Sequence, residues 1–468
     1  MNNLSRFEVH SHTEYSNIRL LDCINKVDRL INRAVELSLR GITITDHECL
    51  CSHIKANKIA KEIMKDNSDF KVALGNEIYL TGSREMGQKY FHFILIAKNF
   101  EGHKVLRKLS SVAWMNSYYD RGMERVPTLY DELAEALKEH PGCLIGTTAC
   151  LGGELSTAAL DMINAETIGD TATAQEKHNE IVNFVLWCKE NFGEDFYIEC
   201  APGCSADQIK VNKRLMSIAK AFNVKMVIGT DAHYLKKEDR FVHKAYLNSK
   251  GGEREVDEFY EYSYLQTNEE IIEHLEQSEF SKNLILEMFK NSEEIYEKIE
   301  NYSLEHKQTI PKVEVKDYPK VDLLKTGSDD EVFFAKHHPI LASMYNSDDK
   351  VERYWVNECI TNLCNLKKWT TYDLAAFGDK YTDRLEEEAD IKRTIGEKLE
   401  TNMFAYPVTL QHYVDLFWDC GSIVGAGRGS SCSGLNHYLL GITQLDPIEW
   451  DLPFWRYLNK ERTELGSL

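Results

Sequence analysis

Nine side chains of metal-ligating type punctuate the first half of the chain: His10, His12, Asp22, His47, Glu77, His92, Cys150, Asp231 and His233. Imidazoles, a thiolate and carboxylates are the donors that transition-metal ions take, and a carboxylate can be shared between two ions. Clustered divalent ions lower the pKa of a bound water and clamp the oxygens of an in-line phosphoryl displacement. The chemistry these residues predict is therefore phosphoester hydrolysis. His10 and His12 stand two apart, a spacing that on a strand aims both rings to one face. Thr45-Asp46-His47 and Asp231-Ala232-His233 repeat the logic.

The elements that must position them are legible as well. FEVHSH, GITITDH, KVALGNEIYL, YFHFILIAK, CLIGTTA, FYIEC and KMVIGTDAH are short apolar runs rich in Val, Ile, Phe and Tyr, as buried strands are. Between most of them lie stretches such as NKVDRLINRAVELSL and SADQIKVNKRLMSIAKAF, with apolar residues three and four apart. Strand followed by helix, repeated, predicts a parallel α/β sheet or barrel, whose chemistry gathers at the C-terminal ends of the strands. His10, His12, His47, Cys150, Asp231 and His233 fall at or just past those ends, and Glu77 late in its run. His92 opens its run instead, so it joins the rim only if that strand is antiparallel to its neighbour. The expectation is a distorted barrel.

Composition bounds the rest. At 468 residues, with 43% hydrophobic and 28% charged, the chain predicts two or more globular domains. It has no apolar run near the ~20 residues of a membrane span and no signal-peptide layout at its start, so a cytoplasmic protein without membrane contact is expected. Twelve cysteines at irregular spacing suggest reduced core thiols rather than a disulfide framework. A net charge of −20 is the reverse of the footprint of an autonomous nucleic-acid binder. Duplex affinity must then come from a local patch, from metals or from another chain. Texture divides the sequence into a barrel domain over 1–268, a charged helical connector with an exposed Pro- and Gly-bearing segment over 269–331, and a mostly helical unit over 332–468.

VHSHTEYS, TDHECL, GNEIYL, HFILIAKN, GTTACLGGEL and VIGTDAHYLKKED, in this order, resemble the polymerase and histidinol phosphatase (PHP) domain of bacterial C-family DNA polymerases, the DNA polymerase III alpha subunits. YTDRLEEEADIKR, VGAGRGSSCSGL, YLLGITQLDP and RYLNKER are similar to the beginning of that family's palm domain. The resemblance covers nearly the whole chain. It implies a distorted (β/α)7 PHP barrel, a helical connector and a partial nucleotidyltransferase-like palm of α+β type. It also implies a trinuclear cluster: one ion on His10, His12, Glu77 and Asp231, a second on Glu77, His92 and Cys150 with Glu77 bridging, and a third on Asp22, His47 and His233. NIRLLDCINK is longer than the usual loop at Asp22. The thiol suits zinc, with manganese or iron as alternatives. The implied activity is 3′–5′ proofreading exonuclease hydrolysis of a DNA primer end, with His10, His12, Glu77 and Asp231 as its catalytic residues. Two other readings stand beside it: a metal-stapled scaffold without hydrolase activity, and a stand-alone phosphoesterase.

The resemblance also makes Gly427, Arg428, Gly429, Ser430 and Ser431 a loop for the triphosphate of an incoming dNTP, although by composition alone such a loop is a tight turn. Polymerisation needs Mg²⁺ held by paired aspartates. Asp446, Asp451, Glu461 and Glu464 do not form that pair, so a second polymerase fragment carrying the aspartates is expected as partner, together with DNA. Trp114, Tyr118 and Tyr119 read as helix packing in preference to a base-stacking platform, and Cys359 and Cys364 as core. Lys392, Arg393 and Lys398 read as a solvated helix face, and Glu199 and His53 as supports behind the ligands.

Overall fold

The computed structural model describes residues 5–120, 123–250, 258–306, 309–323, 325, 328–370, 373 and 380–461. The chain divides into two compact units, Met1–Glu305 and His306–Leu468. The first is built on seven strands in the order β1 (Phe7–Glu8), β2 (Gly41–Ile44), β3 (Lys71–Thr81), β4 (Phe91–Ala97), then β8 (Leu144–Thr147), β9 (Phe196–Cys200) and β10 (Met226–Ile228). Between β4 and β8 come the hairpin β5 (Tyr118–Asp120) and β6 (Met123–Arg125), and β7 (Pro127–Leu129), which pairs with the end of β3. A parallel bridge from Ser11 to Ala232, with His12 N–H donating to the Ala232 carbonyl at 3.0 Å, joins the extensions of the first and last strands. The sheet thereby curls into a nearly closed barrel.

Strand direction follows the apolar runs with the one reversal that His92 requires. β1, β2 and β3 are mutually parallel, as are β8, β9 and β10, while β4 is antiparallel to both β3 and β8. In that register His92 lies opposite Tyr79, and the start of β4 meets the rim where β3 ends. Alternation along β3 puts Ala73, Gly75, Glu77 and Tyr79 on one face. Below the ligands that face is closed by an apolar plug of Phe7, Ala73, Ile94, Ile96, Ile145, Tyr197 and Val227. The opposite faces of the strands (Ile78, Leu80, Phe93, Leu95, Ile198) pack on the surrounding helices in the largest core of this unit. The result is a cup with a dry floor and a polar mouth.

The stretch read as a connector divides between the two units. Thr267 and Glu270 cap helix Asn268–Glu276 reciprocally, and Ser281 caps helix Lys282–Lys298. Ile271, Leu275, Ile285, Met288 and Phe289 of these helices belong to the barrel's own core, and Ile295 and Tyr296 reach the plug. Most of their charged residues lie toward the outer face, with Glu294 and Lys298 reaching the Tyr197 hydroxyl, which is why the stretch resembles an exposed linker in composition.

The second unit is helical among its described residues, and the strands of an α+β palm are not among them. Its core gathers Trp355, Phe404, Leu385, Leu363 and Leu435 around helices Lys350–Lys367 and Lys380–Leu399. Lys392 corrects the solvated-face reading. It is 1% exposed and lies near the rings of Phe454, Trp355 and Tyr457, because it occupies the apolar stripe between Ala389 and Ile395. Arg393 is paired with Glu352 at 2.8 Å, and Lys398 donates to the Lys460 carbonyl. Cys359 is fully buried and Cys364 half-buried, both free thiols. Among the described residues no helix is long and apolar enough to cross a membrane.

Candidate metal centre at the barrel rim

His10 and His12 leave β1, His47 leaves β2, Glu77 comes from β3 and Asp231 from the end of β10; the exposure of each is 4% or less. His10 Nε2 lies 2.9 Å from Glu77 Oε2, 3.0 Å from His12 Nε2 and 3.3 Å from Asp231 Oδ1. His12 Nε2 lies 3.0 Å from Asp231 Oδ1 and 3.3 Å from Glu77 Oε2. Four donors at ~2.0–2.1 Å from a tetrahedral ion would stand ~3.3 Å from one another, so this group has the dimensions of a coordination shell. A second group, His12, His47 and His233, also has ligand atoms within 4.8 Å of one another.

Three imidazoles are held with one nitrogen turned outward. His10 Nδ1 donates to Glu199 Oε1 at 2.6 Å, His12 Nδ1 to Ser16 Oγ at 3.1 Å, and His233 Nδ1 to the Asp231 carbonyl at 2.8 Å. With the proton on Nδ1, each ring presents a bare Nε2 lone pair to the centre, the arrangement that outer-shell partners impose on metal-binding histidines. Asp22 Oδ1, Asp231 Oδ1 and His233 Nε2 are buried without a hydrogen-bond partner. Buried polar atoms of this kind are costly unless something satisfies them, and a cation would. The residues present fit a metal cluster.

Glu77 is the hub. Its Oε2 faces His10 and His12, while Oε1 lies 2.6 Å from His92 Nδ1 and 3.0 Å from His47 Nδ1. His92 Nδ1 is in turn 3.6 Å from Cys150 Sγ. Asp22 Oδ2 lies 3.1 Å from His47 Nε2 and 3.4 Å from His233 Nε2, so the longer loop still delivers its carboxylate to the rim. All nine ligand-type residues singled out in the sequence are thus brought to one rim. The backbone is strained beside them: Asp231 itself, Glu48 after His47 and Ala149 before Cys150 adopt φ of 47°, 41° and 57°. Such conformations persist where surrounding structure holds them, typically at functional sites.

The electrostatics follow from charge sharing in a dry setting. Burial pushes the His10 imidazole down, but Glu199 and Asp231 outweigh it and hold His10 well above its ordinary value. Burial opposes ionisation of Glu77 and Asp22 too, yet His92 and His47 hold Glu77 well below the usual carboxylate range, and His47 and His233 do the same for Asp22. His12 is lowered, by burial first and then by its neighbours His47 and His233. Burial, with Asp231 and Glu77, pushes the Cys150 thiol well up. Without ions the protons of the rim are shared among these groups, and ions would compete with them.

Supporting residues complete the site, some of them without a sequence signal. Asp46 accepts from Thr13 N, Thr13 Oγ1, Ser16 Oγ and Ser52 Oγ, and so fixes the loop that holds His12. Tyr260, far along the chain, donates to Asp22 Oδ2 at 3.1 Å. Glu199 is the support it was read to be, whereas His53 is not at the rim: it bonds the Gly75 carbonyl and His103. Trp114 packs, with Nε1 donating to the Glu48 carbonyl, but Tyr118 and Tyr119 correct the helix-packing reading: they lie past the end of the helix on hairpin strand β5, with Tyr119 71% exposed.

In the second unit, Gly427, Arg428, Gly429 and Ser430 lie on an exposed loop, with Ser431 half-buried. Gly427 and Gly429 have φ of 135° and 69°, and Ser431 Oγ donates to the Arg428 carbonyl at 2.7 Å. Glu388 accepts from the N–H groups of Leu435 and Asn436 just beyond the loop, and Arg384 bonds the Ser433 carbonyl.

Comparison with known proteins gives these features relatives. Residues 8–202 match the model of the PHP domain, and residues 358–466 that of the bacterial DNA polymerase III alpha NTPase domain. A probable DNA polymerase, YorL, of Bacillus subtilis strain 168 is 39% identical over 475 residues, covering 98% of this chain and 36% of its own length. The DNA-directed DNA polymerase of Bacillus phage SPbeta matches with the same figures. The DNA polymerase III subunit alpha of Aquifex aeolicus is 29% identical over 473 residues, covering 98% of this chain and 35% of its own. The chain spans about a third of the length of these curated relatives.

Proposed function

We propose that this chain, which carries a PHP domain and a segment matching the bacterial DNA polymerase III alpha NTPase domain, hydrolyses phosphodiesters at the barrel rim with divalent metal ions, its substrate being the 3′ end of DNA. The observation that carries the reading is the convergence of His10 Nε2, His12 Nε2, Glu77 Oε2 and Asp231 Oδ1, delivered by three strands, with neighbours 2.9 to 3.3 Å apart. These four would hold one ion and act as the catalytic residues. Glu77, His92 and Cys150 would hold a second ion, and Asp22, His47 and His233 a third. The two-sided contacts of Glu77 support a bridging role. Zinc suits the thiol among imidazoles, with manganese as the alternative metal.

When bound, such ions supply Lewis acidity, acidifying water and neutralising charge on the phosphoryl oxygens. The chain's own residues prepare the site. Glu199, Ser16 and the Asp231 carbonyl hold the outward N–H groups, positive-φ backbone at Asp231 and at Ala149 accompanies the presentation of Asp231 and Cys150 at the rim, and the apolar plug closes the floor. For DNA synthesis, we assign the triphosphate of an incoming dNTP to Gly427, Arg428, Gly429, Ser430 and Ser431, with Mg²⁺ and the catalytic aspartates supplied from outside the residues of this chain. The exposure of Arg428, which forms no ion pair among the described residues, supports that role.

The test is nucleotide release from paired and 3′-mismatched primer–templates by the zinc- or manganese-loaded chain. Release is expected with metal, and is abolished by a chelator and by a His10→Ala, Asp231→Ala variant. No release with either metal, together with a variant that is merely less stable, would overturn the reading in favour of a structural staple.

The outer shell gives a graded prediction. A Cβ on Gly229 would meet Glu199 Oε1 at 2.2 Å and His10 Cβ at 2.9 Å. Gly229→Ala must therefore push Glu199 off His10 Nδ1. A loss of about 10- to 100-fold in zinc affinity is expected, read by competition with a chromophoric chelator.

A further inference from the structure

The chain carries a net charge of −20, and most of its arginines with described partners are engaged by carboxylates or carbonyls. Two at the barrel mouth are not. Arg19, in the lengthened loop before Asp22, lies 5.0 Å over the ring of Tyr79, and Arg125, on β6, lies 4.7 Å over the ring of Tyr90. Both are half-buried, and both Nε atoms are shielded without a hydrogen-bond partner. Neither guanidinium forms an ion pair among the described residues. The rings beneath them lead to the metal centre: Tyr79 packs edge-on against His92 at 5.1 Å, and Tyr90 edge-on against Tyr79 at 6.3 Å. From Tyr90 the line continues outward through Arg125, whose backbone pairs with Tyr118 of the surface hairpin. The next residue, Tyr119, is 71% exposed.

We infer that Arg19 and Arg125, with Tyr119 at the outer end, form a track that holds the last nucleotides of single-stranded DNA as its 3′ end enters the rim; the inference rests on the phosphodiesterase reading above. Arg125 Nη1 donates to Met123 Sδ at 3.1 Å, a weak acceptor that a phosphate oxygen would displace, and the η N–H groups of a guanidinium held over a ring suit the paired oxygens of a phosphodiester. Stacking also holds the side chain in one position before the ligand arrives, so little ordering remains to be done on binding. An exposed tyrosine beside such cations stacks a base of any identity. Two cations in line suit successive phosphates of a flexible strand. A duplex end would bring a second strand and its charge against a chain whose net charge is −20. The track thus supplies the local patch that overall composition withholds.

The experiment is fluorescence anisotropy of the zinc-loaded chain with a fluorescein-labelled oligothymidylate of twelve residues, made with phosphorothioate 3′ linkages so that it survives. Arg19→Gln and Arg125→Gln are each expected to weaken binding about five- to tenfold. Each should also reduce the slope of log affinity against log salt by about 0.7, the value for one phosphate contact on a single strand. Tyr119→Ala should weaken binding about fivefold or more, with Tyr119→Phe restoring it. Arg107→Gln, on an exposed helix face, should change nothing. A blunt duplex should compete at least about tenfold less well than the single strand. Wild-type affinity and salt slope in the Arg19→Gln, Arg125→Gln double variant would overturn the track, as would equal binding of duplex. Hydrolysis of the p-nitrophenyl ester of thymidine 5′-monophosphate, measured separately, keeps the two readings apart. A chain that cleaves the ester but does not hold the oligonucleotide overturns the track alone, and one that holds it through both arginines but cleaves nothing overturns the phosphodiesterase reading alone.

Discussion

A Glu77→Gln variant should lose phosphodiester hydrolysis by at least about a thousandfold, which corresponds to about 4 kcal/mol of transition-state stabilisation, and should lose bound metal with it. The reason is the number of groups that depend on one carboxylate. Oε2 faces His10 and His12 while Oε1 faces His92 and His47, so the amide removes a negative charge from two ligand groups at once. It also turns an N–H₂ toward rings that should present lone pairs. Glu77 lies on β3, fully buried. Elemental analysis of the purified variant, with nucleotide release from a primer–template, checks both losses. Denaturation with and without chelator separates them from misfolding. The metal-loaded wild type should be stabilised relative to its chelated form, because ions bind the folded state and not the open chain, and that difference should shrink in the variant. Equal metal content and equal release in variant and wild type would sink the bridging role.

How much of this site was legible depended on whether a residue acts through position or through contact. His10, His12, His47, Asp231 and His233 could be read because a strand end is a position, visible as an apolar run followed by a ligand. The antiparallel course of β4 was legible for a related reason: His92 stands at the wrong end of its run for a rim residue, and only reversal repairs that. Asp46 was visible in its triplet and Arg19 in the lengthened loop, but their partners, like Tyr260 altogether, are set by contacts between distant segments that spacing does not show. The connector was hard to read because composition averages over a helix. Helix Lys282–Lys298 is charged along much of its length, yet Ile285, Met288, Phe289 and Ile295 recur at helical spacing and bury fully against the barrel. Lys392 misleads in the opposite way. Its charge suggests solvent, while its register with Ala389 and Ile395 places it on the buried stripe, and register decided the outcome.

That buried lysine makes Glu388 the most sensitive position predicted in the second unit. Glu388 is fully buried, accepts the Leu435 and Asn436 backbone N–H groups at 2.6 and 2.9 Å and the Asn436 side chain at 2.6 Å, and lies 3.3 Å from Arg384. It is also the negative neighbour of Lys392. Burial lowers the Lys392 amine to about 8, and Glu388 resists the fall. Glu388→Ala therefore leaves two backbone donors without a partner, takes the carboxylate from Arg384, and removes the negative charge that favours the Lys392 cation, whose amine has no hydrogen-bond partner of its own. Removing one member of a buried charged network costs about 3–5 kcal/mol, and denaturant unfolding followed by tryptophan fluorescence should report that loss in the transition of this unit. A second substitution apportions it. In the Glu388→Ala background, Lys392→Met removes the stranded cation and should recover part of the loss, whereas if the lysine were solvated the two effects would simply add. The sign of the pH dependence in the unsubstituted protein follows from the lysine alone. The folded amine titrates near 8 and the unfolded one near its ordinary 10.5, so between these values the unfolded chain binds more protons and stability rises with pH. The Lys392→Met protein should lack that rise. Because Glu388 also fixes the exit of the Gly427–Ser431 loop, its loss should loosen the proposed triphosphate site before the unit unfolds. Faster amide hydrogen exchange at Leu435 and Asn436 than elsewhere in the unit would show it, and uniform exchange across the unit would rule it out.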